Sequence, residues 1–267
     1  MSLQNLSRRR LLVGGVAAVT GTAGCSGSAR TEADGTTEPS PESVDSPSPT
    51  GTPAARLAEL TVAEFILYPL SGTHPHVHRK AGRQYVVVRL STELDRGAAT
   101  EAVALELDGE AVGLASRQPV PWRKDTVDVA FAVAKDRTVG SGELQSRGST
   151  LRTLSAETIS RLNEPPEFDV GEPSVSPAEI GAVETEQATV SFTVANRGDG
   201  AGTFGASLSE NYVSGSKLVT ASLQPGEERE LTPSIRIRGE GDVAHVRLDW
   251  GVDQWVTEIP VAGTETA

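Results

Sequence analysis

Large apolar side chains recur at every second position along much of residues 84–261, and this period constrains the fold more than any other feature. Val86, Val88 and Leu90 follow it, as do Val127, Val129, Phe131 and Val133, and Val190, Phe192 and Val194 with Thr189, Ser191 and Thr193. Successive side chains of an extended chain point to opposite faces, so such runs predict half-buried strands rather than helices. Turn residues separate them. Val103, Leu105 and Leu107 run into Asp108-Gly109 and return through Val112 and Leu114. That is the signature of a two-residue hairpin, because Asp-Gly accepts the positive φ angles of a primed turn. Residues 60–69 read as an apolar-rich strand ending at a proline, and 84–92 as another. The one helical segment expected is 155–163, which starts on the capping residue Ser155 and stops before Pro165-Pro166.

Those two prolines mark a boundary. Beyond them the pattern resumes: Asn196-Arg197-Gly198-Asp199-Gly200 turns the chain, Phe204, Ala206 and Leu208 alternate, and Gln224-Pro225-Gly226-Glu227 turns it again. Strands are expected at 218–223, through Leu231, Ile235 and Ile237, at 243–250 and at 254–261. The expected fold class is all-β: two tandem immunoglobulin-like β-sandwich domains, residues 57–166 and 167–262, with a short tail at 263–267.

The run from Val190 through Asn196, Gly198 and Gly200, followed by Leu223-Gln224-Pro225-Gly226-Glu227, resembles the CARDB-like domains, which are immunoglobulin-like or fibronectin-III-like sandwiches of archaeal and bacterial surface proteins. The resemblance covers residues 168–261. It implies a sandwich fold and leaves the activity open, since such modules serve as spacers, adhesive units or carriers of ligand loops. Residues 57–166 read as a more divergent sandwich of the same kind.

The N-terminal region gives an address. Arg8 and Arg9, with Arg10, stand ahead of an uncharged run from Leu11 to Gly24, which ends at Cys25. An arginine pair before a modest apolar stretch resembles a twin-arginine export signal, and Thr22-Ala23-Gly24-Cys25 resembles a lipobox, in which the cysteine thiol is alkylated by lipid and becomes the new N-terminus. Thr22 stands where Leu is more usual; a plain cleaved signal with an incidental cysteine is the competing reading. The uncharged run is shorter than the ~20 residues that span a bilayer as a helix. Residues 1–24 are therefore expected to be a signal peptide, Cys25 a lipidation site, and the protein extracytoplasmic and held on the outer face of the membrane. Its partners would then include the export machinery.

Cys25 is the single cysteine, so no intrachain disulfide exists and folding rests on apolar burial. Residues 31–53 hold nine Ser or Thr, five Pro and five acidic residues, with Val44 as the only large aliphatic, a composition that buries no core. Residues 25–56 are expected to be a disordered stalk that resembles O-glycosylated stalks.

The charge balance is 24 basic against 36 acidic residues, net −12, and only four of the basic residues are Lys. Nucleic acid is an unexpected partner for such a chain. Arg-rich, acidic usage resembles proteins of salt-loving archaea, whose dense carboxylates keep the surface hydrated where salt screens charge.

Chemistry-bearing residues are few. His74-Pro75-His76-Val77-His78 places three imidazoles on one side of an extended segment, the donor set of copper, zinc or nickel, although Arg79 and Lys80 follow directly and disfavour a cation. His245 alternates with apolar neighbours and reads as an outward strand residue. Acidic residues crowd the turns near Asp199, Glu227 and Asp242 without the ordered spacing of a calcium loop. Trp122, Trp250 and Trp255 are candidates for a carbohydrate-stacking face, but the last two flank a turn between consecutive strands and read as packing residues. No catalytic constellation is present, so no enzyme and no obligate cofactor is expected. The leading expectation is a non-catalytic, lipid-anchored binding or scaffolding module acting on an envelope protein or polymer. The alternative is a metal-binding lipoprotein using His74, His76 and His78; a hydrolase accessory subunit is the third.

Overall fold

The computed structural model describes residues 56–71, 74–92, 95–119, 126–181, 185–210, 214–238 and 241–263, with backbone only at 69–71, 74, 75, 185, 214 and 215. The export signal with Arg8 and Arg9, Cys25, the stalk up to residue 55 and Trp122 lie outside the described residues, and Arg56, expected to end the stalk, opens the first strand.

In chain order the elements of the first part are β1 (Arg56–Ala63), β2 (Ile66–Ser71), β3 (His74–His78), β4 (Arg83–Ser91), α1 (Arg96–Glu101), β5 (Val103–Leu107), β6 (Glu110–Val112), β7 (Thr126–Ala134), β8 (Gly142–Ser146), β9 (Ser149–Thr153) and α2 (Ala156–Asn163). Two sheets, ordered β1-β4-β7 and β6-β5-β8-β9, face each other. The alternating residues identified above meet between them: Val86, Val88, Leu90, Leu105, Leu107, Val129, Phe131 and Leu144 are fully buried in one core. Each such side chain contributes about 1.5–3 kcal/mol of transfer free energy. The Asp108-Gly109 turn has both residues at positive φ, 54° and 77°, as a primed hairpin requires.

The second part comprises β10 (Phe168–Val170), β11 (Ser174–Ser176), β12 (Ile180–Gly181), β13 (Thr185–Asn196), β14 (Gly202–Glu210), β15 (Ser214–Leu223), β16 (Glu228–Leu231), β17 (Ser234–Arg238), β18 (Val243–Asp249) and β19 (Gln254–Ala262). One sheet is centred on β13, which pairs with β10 and β11 on one side and with β16 and β17 on the other. The opposing sheet runs β12-β19-β18-β14-β15, with β12 parallel to β19 and the rest antiparallel. Phe192, Phe204, Leu208, Ile237 and Leu248 fill the space between the sheets, and Trp250 and Trp255 pack at the margin of this second core. The chain is all-β, a sandwich architecture whose described residues form one compact unit with two large hydrophobic cores and a smaller cluster of Ile66, Tyr85, Ala115 and Ala130.

Several elements differ from the sequence expectation, which had no strand at β8, β9, β10, β11 or β12. The single strand expected over 60–69 is broken: β1 pairs with β4, whereas β2 leaves that sheet and forms a hairpin with β3. The break falls at Glu64 and Phe65, the first buried as an ion pair and the second packed on another strand. The helix α1 was not expected from its short sequence Arg96–Glu101; Asp95 caps it, its carboxylate accepting from the Ala98 N–H at 2.9 Å.

Candidate functional site

The three-histidine segment forms β3, antiparallel to β2 with Ile66 opposite His78, Leu67 opposite Val77 and Tyr68 opposite His76. The pleat puts positions 74, 76 and 78 on one face and Val77 on the other. Val77 is buried, and its N–H donates to Ser207 Oγ on β14 at 3.0 Å. Phe65, just before β2, lies so close to Gly205 of β14 that an added Cβ would stand 2.5 Å from its ring. The hairpin is thus laid on the outer face of β14. Gly205, Ser207 and Ser209, the small residues that alternate with the core residues of β14, are buried beneath it.

On the exposed side, His76 and His78 are half-buried among rings. Tyr68 stands 6.1 Å from His76 and 5.8 Å from His78, the latter edge-on, and His78 stands 6.2 Å from Tyr85. Ser116 Oγ is 3.3 Å from His78 Nε2, and the Arg117 guanidinium lies 5.2 Å from the Tyr68 ring centre. Burial first, then the charges of Arg117 and Lys80, holds the His78 pKa below its ordinary value, so its imidazole is kept neutral. Among the described residues no group of three or more His, Cys, Asp or Glu side chains is placed to hold a metal ion. The His74 side chain lies outside the described residues. What the structure brings together around His76 and His78 is therefore a stacked aromatic and cationic cluster, chemically suited to packing.

Behind the hairpin a second group joins the two parts of the fold. Glu64 is 5% exposed, and Lys135 Nζ lies 2.7 Å from its Oε2 as an ion pair while also donating to the Pro166 carbonyl. Burial raises the Glu64 pKa, and the charges of Lys135, Arg79 and Arg161 oppose the rise. Arg79, the residue after β3, stacks its guanidinium 5.4 Å from the centre of the Phe168 ring, and its backbone N would lie 2.6 Å from a Cβ on Gly251. Sequence reasoning missed Glu64 and Lys135 and read Arg79 only as a charge that disfavours a metal on the histidines. The one available signal was an acid inside an apolar run, at Glu64.

The linker after α2 is fastened by the Asn196 side chain, which is fully buried. Its Oδ1 accepts from the N–H groups of Glu167 and Gly198, both at 3.1 Å, and its Nδ2 donates to the carbonyls of Gly200 and Leu223 at 2.8 and 3.3 Å. Gly198 and Gly200 face the backbone of residues 164–167 so closely that any Cβ would overlap it. The Asn-x-Gly-x-Gly run that marks the turn in the sequence is thus also the seat of the linker.

The other sequence candidates have structural settings. His245 lies on the face of β18 opposite the buried Ala244 and Val246, with Glu258 Oε1 3.8 Å from its Nδ1. Glu227 closes the turn before β16: its carboxylate accepts from the Gln224 N–H, which holds its pKa low, and pairs with Arg229, which adds to that effect. No helix among the described residues is long and apolar enough to cross a membrane.

These features define an all-β sandwich protein. No family model matches the chain, and no curated protein does. Among solved structures, a β-glucosidase from Listeria innocua in complex with isofagomine is 18% identical over 56% of this chain and 22% of its own, with a TM-score of 0.31. A mutant of a β-glucosidase from that organism, in complex with laminaribiose, is 22% identical over 37% of this chain and 16% of its own, with a TM-score of 0.30. The chain spans less than a quarter of those structures, and likeness at this level carries no argument about activity.

Proposed function

We propose that this chain is an exported, lipid-anchored cell-surface protein that acts without catalysis, presenting its β-sandwich region as a binding or scaffolding module to an envelope protein or polymer. The observation that carries this reading is the joint. Hairpin β2–β3 lies on β14, Glu64 pairs with Lys135, and Asn196 fastens the linker, so two cores are held as one body suited to projecting a fixed surface. The leader ending at Cys25, the sole cysteine, supports the anchor.

Mass spectrometry of the mature N-terminus tests the anchor, combined with fractionation of cells expressing wild-type protein or Cys25→Ser. A lipid-modified Cys25 at the N-terminus, and loss of membrane retention in the variant, are expected. A variant that stays membrane-bound and unprocessed would replace the lipid anchor with a retained signal helix. Reproducible capture of one partner from intact envelopes is the expected positive result for the module itself.

A further inference from the structure

Between the two parts lies a cleft of about 500 Å³, lined among others by Arg79, Lys80, Asp136, Glu167, Phe168 and Asp199. Its size is that of a small-ligand site, and junctions between sandwiches are common places for one. The cations around it are unequally committed. Lys135 is taken by Glu64 and the Pro166 carbonyl, and Arg197 by Glu228 at 3.3 Å. Arg79 and Lys80 make no side-chain hydrogen bond or ion pair among the described residues. Arg79 is nonetheless held in place: its backbone abuts Gly251, its guanidinium is stacked on Phe168, and the charges of Glu64 and Glu167 act on it with no acceptor at hydrogen-bond distance among the described residues. A partly buried guanidinium with open donors is matched by a carboxylate, which accepts from it in a bidentate manner.

The remaining polar groups narrow the ligand. With Lys135 and Arg197 paired elsewhere, Asp136, Glu167 and Asp199 exceed Arg79 and Lys80 by one charge, a field that penalises a doubly charged phosphate about twice as much as a singly charged carboxylate. A single carboxylate on a body rich in hydroxyl donors satisfies both sets, since hydroxyls donate to carboxylate acceptors. We propose that the junction cleft binds a small hydroxyl-rich carboxylate, a uronic acid in chemical class, with Arg79 holding the carboxylate and Asp136 and Asp199 accepting from hydroxyls. This gives the binding module a ligand and is independent of the lipid on Cys25.

The test is calorimetric and NMR titration of the full chain with glucuronate at constant ionic strength, with glucose and inorganic phosphate as controls. Saturable binding of glucuronate, with shifts of the Gly82 and Gly198 amides, is expected, and neither control should reproduce it. Arg79→Gln is expected to weaken binding about tenfold or more, and Arg79→Lys nearly as much because the fork is lost. Lys80→Gln and Asp199→Asn, at exposed positions that leave the fold intact, should each weaken it about two- to threefold. Equal binding of glucose, tighter binding of phosphate, or unchanged affinity in all four variants would overturn the assignment. Lost binding with normal membrane retention would leave an anchored scaffold, so the two proposals fail separately.

Discussion

The two cores are built alike and closed differently. The second supplies its own core: every side chain packed between its sheets lies within residues 168–261, and β12 closes the edge of one sheet by pairing with β19. The first gives up a hairpin. β2 and β3 leave the sheet of β1, β4 and β7 and lie on β14, so the strand with the most two-sided burial in the second sandwich owes its outer cover to the first. The lesson is that period-two alternation identifies a core face, while the size of the residues on the opposite face tells whether that face is free. On β14 those residues are Gly205, Ser207 and Ser209, small enough for another element to come close.

The largest effect expected from breaking this arrangement is at the buried ion pair. Lys135→Met leaves Glu64 buried without its ion-pair partner, which costs about 3–5 kcal/mol in urea unfolding at pH 7, whereas the double variant Glu64→Leu/Lys135→Met should recover most of the loss. The pH dependence has a definite sign. The folded pKa of Glu64 lies above its ordinary 4.5, so the folded state takes up the proton first, and the penalty of a charged Glu64 falls as pH drops through the folded value toward 4.5. A Lys135→Met deficit that stays constant from pH 7 to pH 4.5 would contradict the burial of that charge.

Gly205→Val sharpens the comparison at the face of β14. The new side chain meets the Phe65 ring and lifts the hairpin, at a cost of about 1–3 kcal/mol. Hydrogen exchange distinguishes this from general unfolding: the Val77 amide, now bonded to Ser207, should lose protection while the amides of β13 keep theirs. Equal loss in both places would show that the hairpin is no separate lid on the second core.

The smallest effect concerns His78. Its folded pKa is depressed, so the stability it contributes is fully present above 6.5 and is lost as pH falls through the folded value. Unfolding curves of wild type and His78→Gln should therefore run parallel above pH 7 and converge or cross on acidification. A pH-independent difference would place the proton sensitivity elsewhere.

Much of this architecture is legible in the sequence because it rests on local rules. Asp108-Gly109 specifies its turn, Ser155 caps α2, and Val190, Phe192 and Val194 declare the inner face of β13. The hairpin Ser146-Arg147-Gly148-Ser149 is less visible, since Arg147 adopts φ 50° without being a typical residue for it. The break in the strand expected over 60–69 was not legible, because it depends on Lys135 and Gly205, distant in sequence from Glu64 and Phe65. The candidate site divides the same way. Alternation alone placed His76 and His78 on one face, but their stacking on Tyr68 and Tyr85 and the cations beside them arise from four separate segments. Arg79 was legible only as a charge beside the histidines and Asp136 carried no sequence signal, for a lone charge gains meaning only when folding decides whether it finds a partner.

The seat made by Asn196, Gly198 and Gly200 bears on how this protein can be divided and recombined. A fragment beginning at Phe168, the natural cut after the two prolines, takes away the Glu167 N–H that Asn196 Oδ1 accepts and uncovers the flat floor on which residues 164–167 rest. The hereditary unit of the second sandwich therefore includes the end of the connecting segment, and any shuffling event that transplants it intact must carry the chain from Glu164 onward.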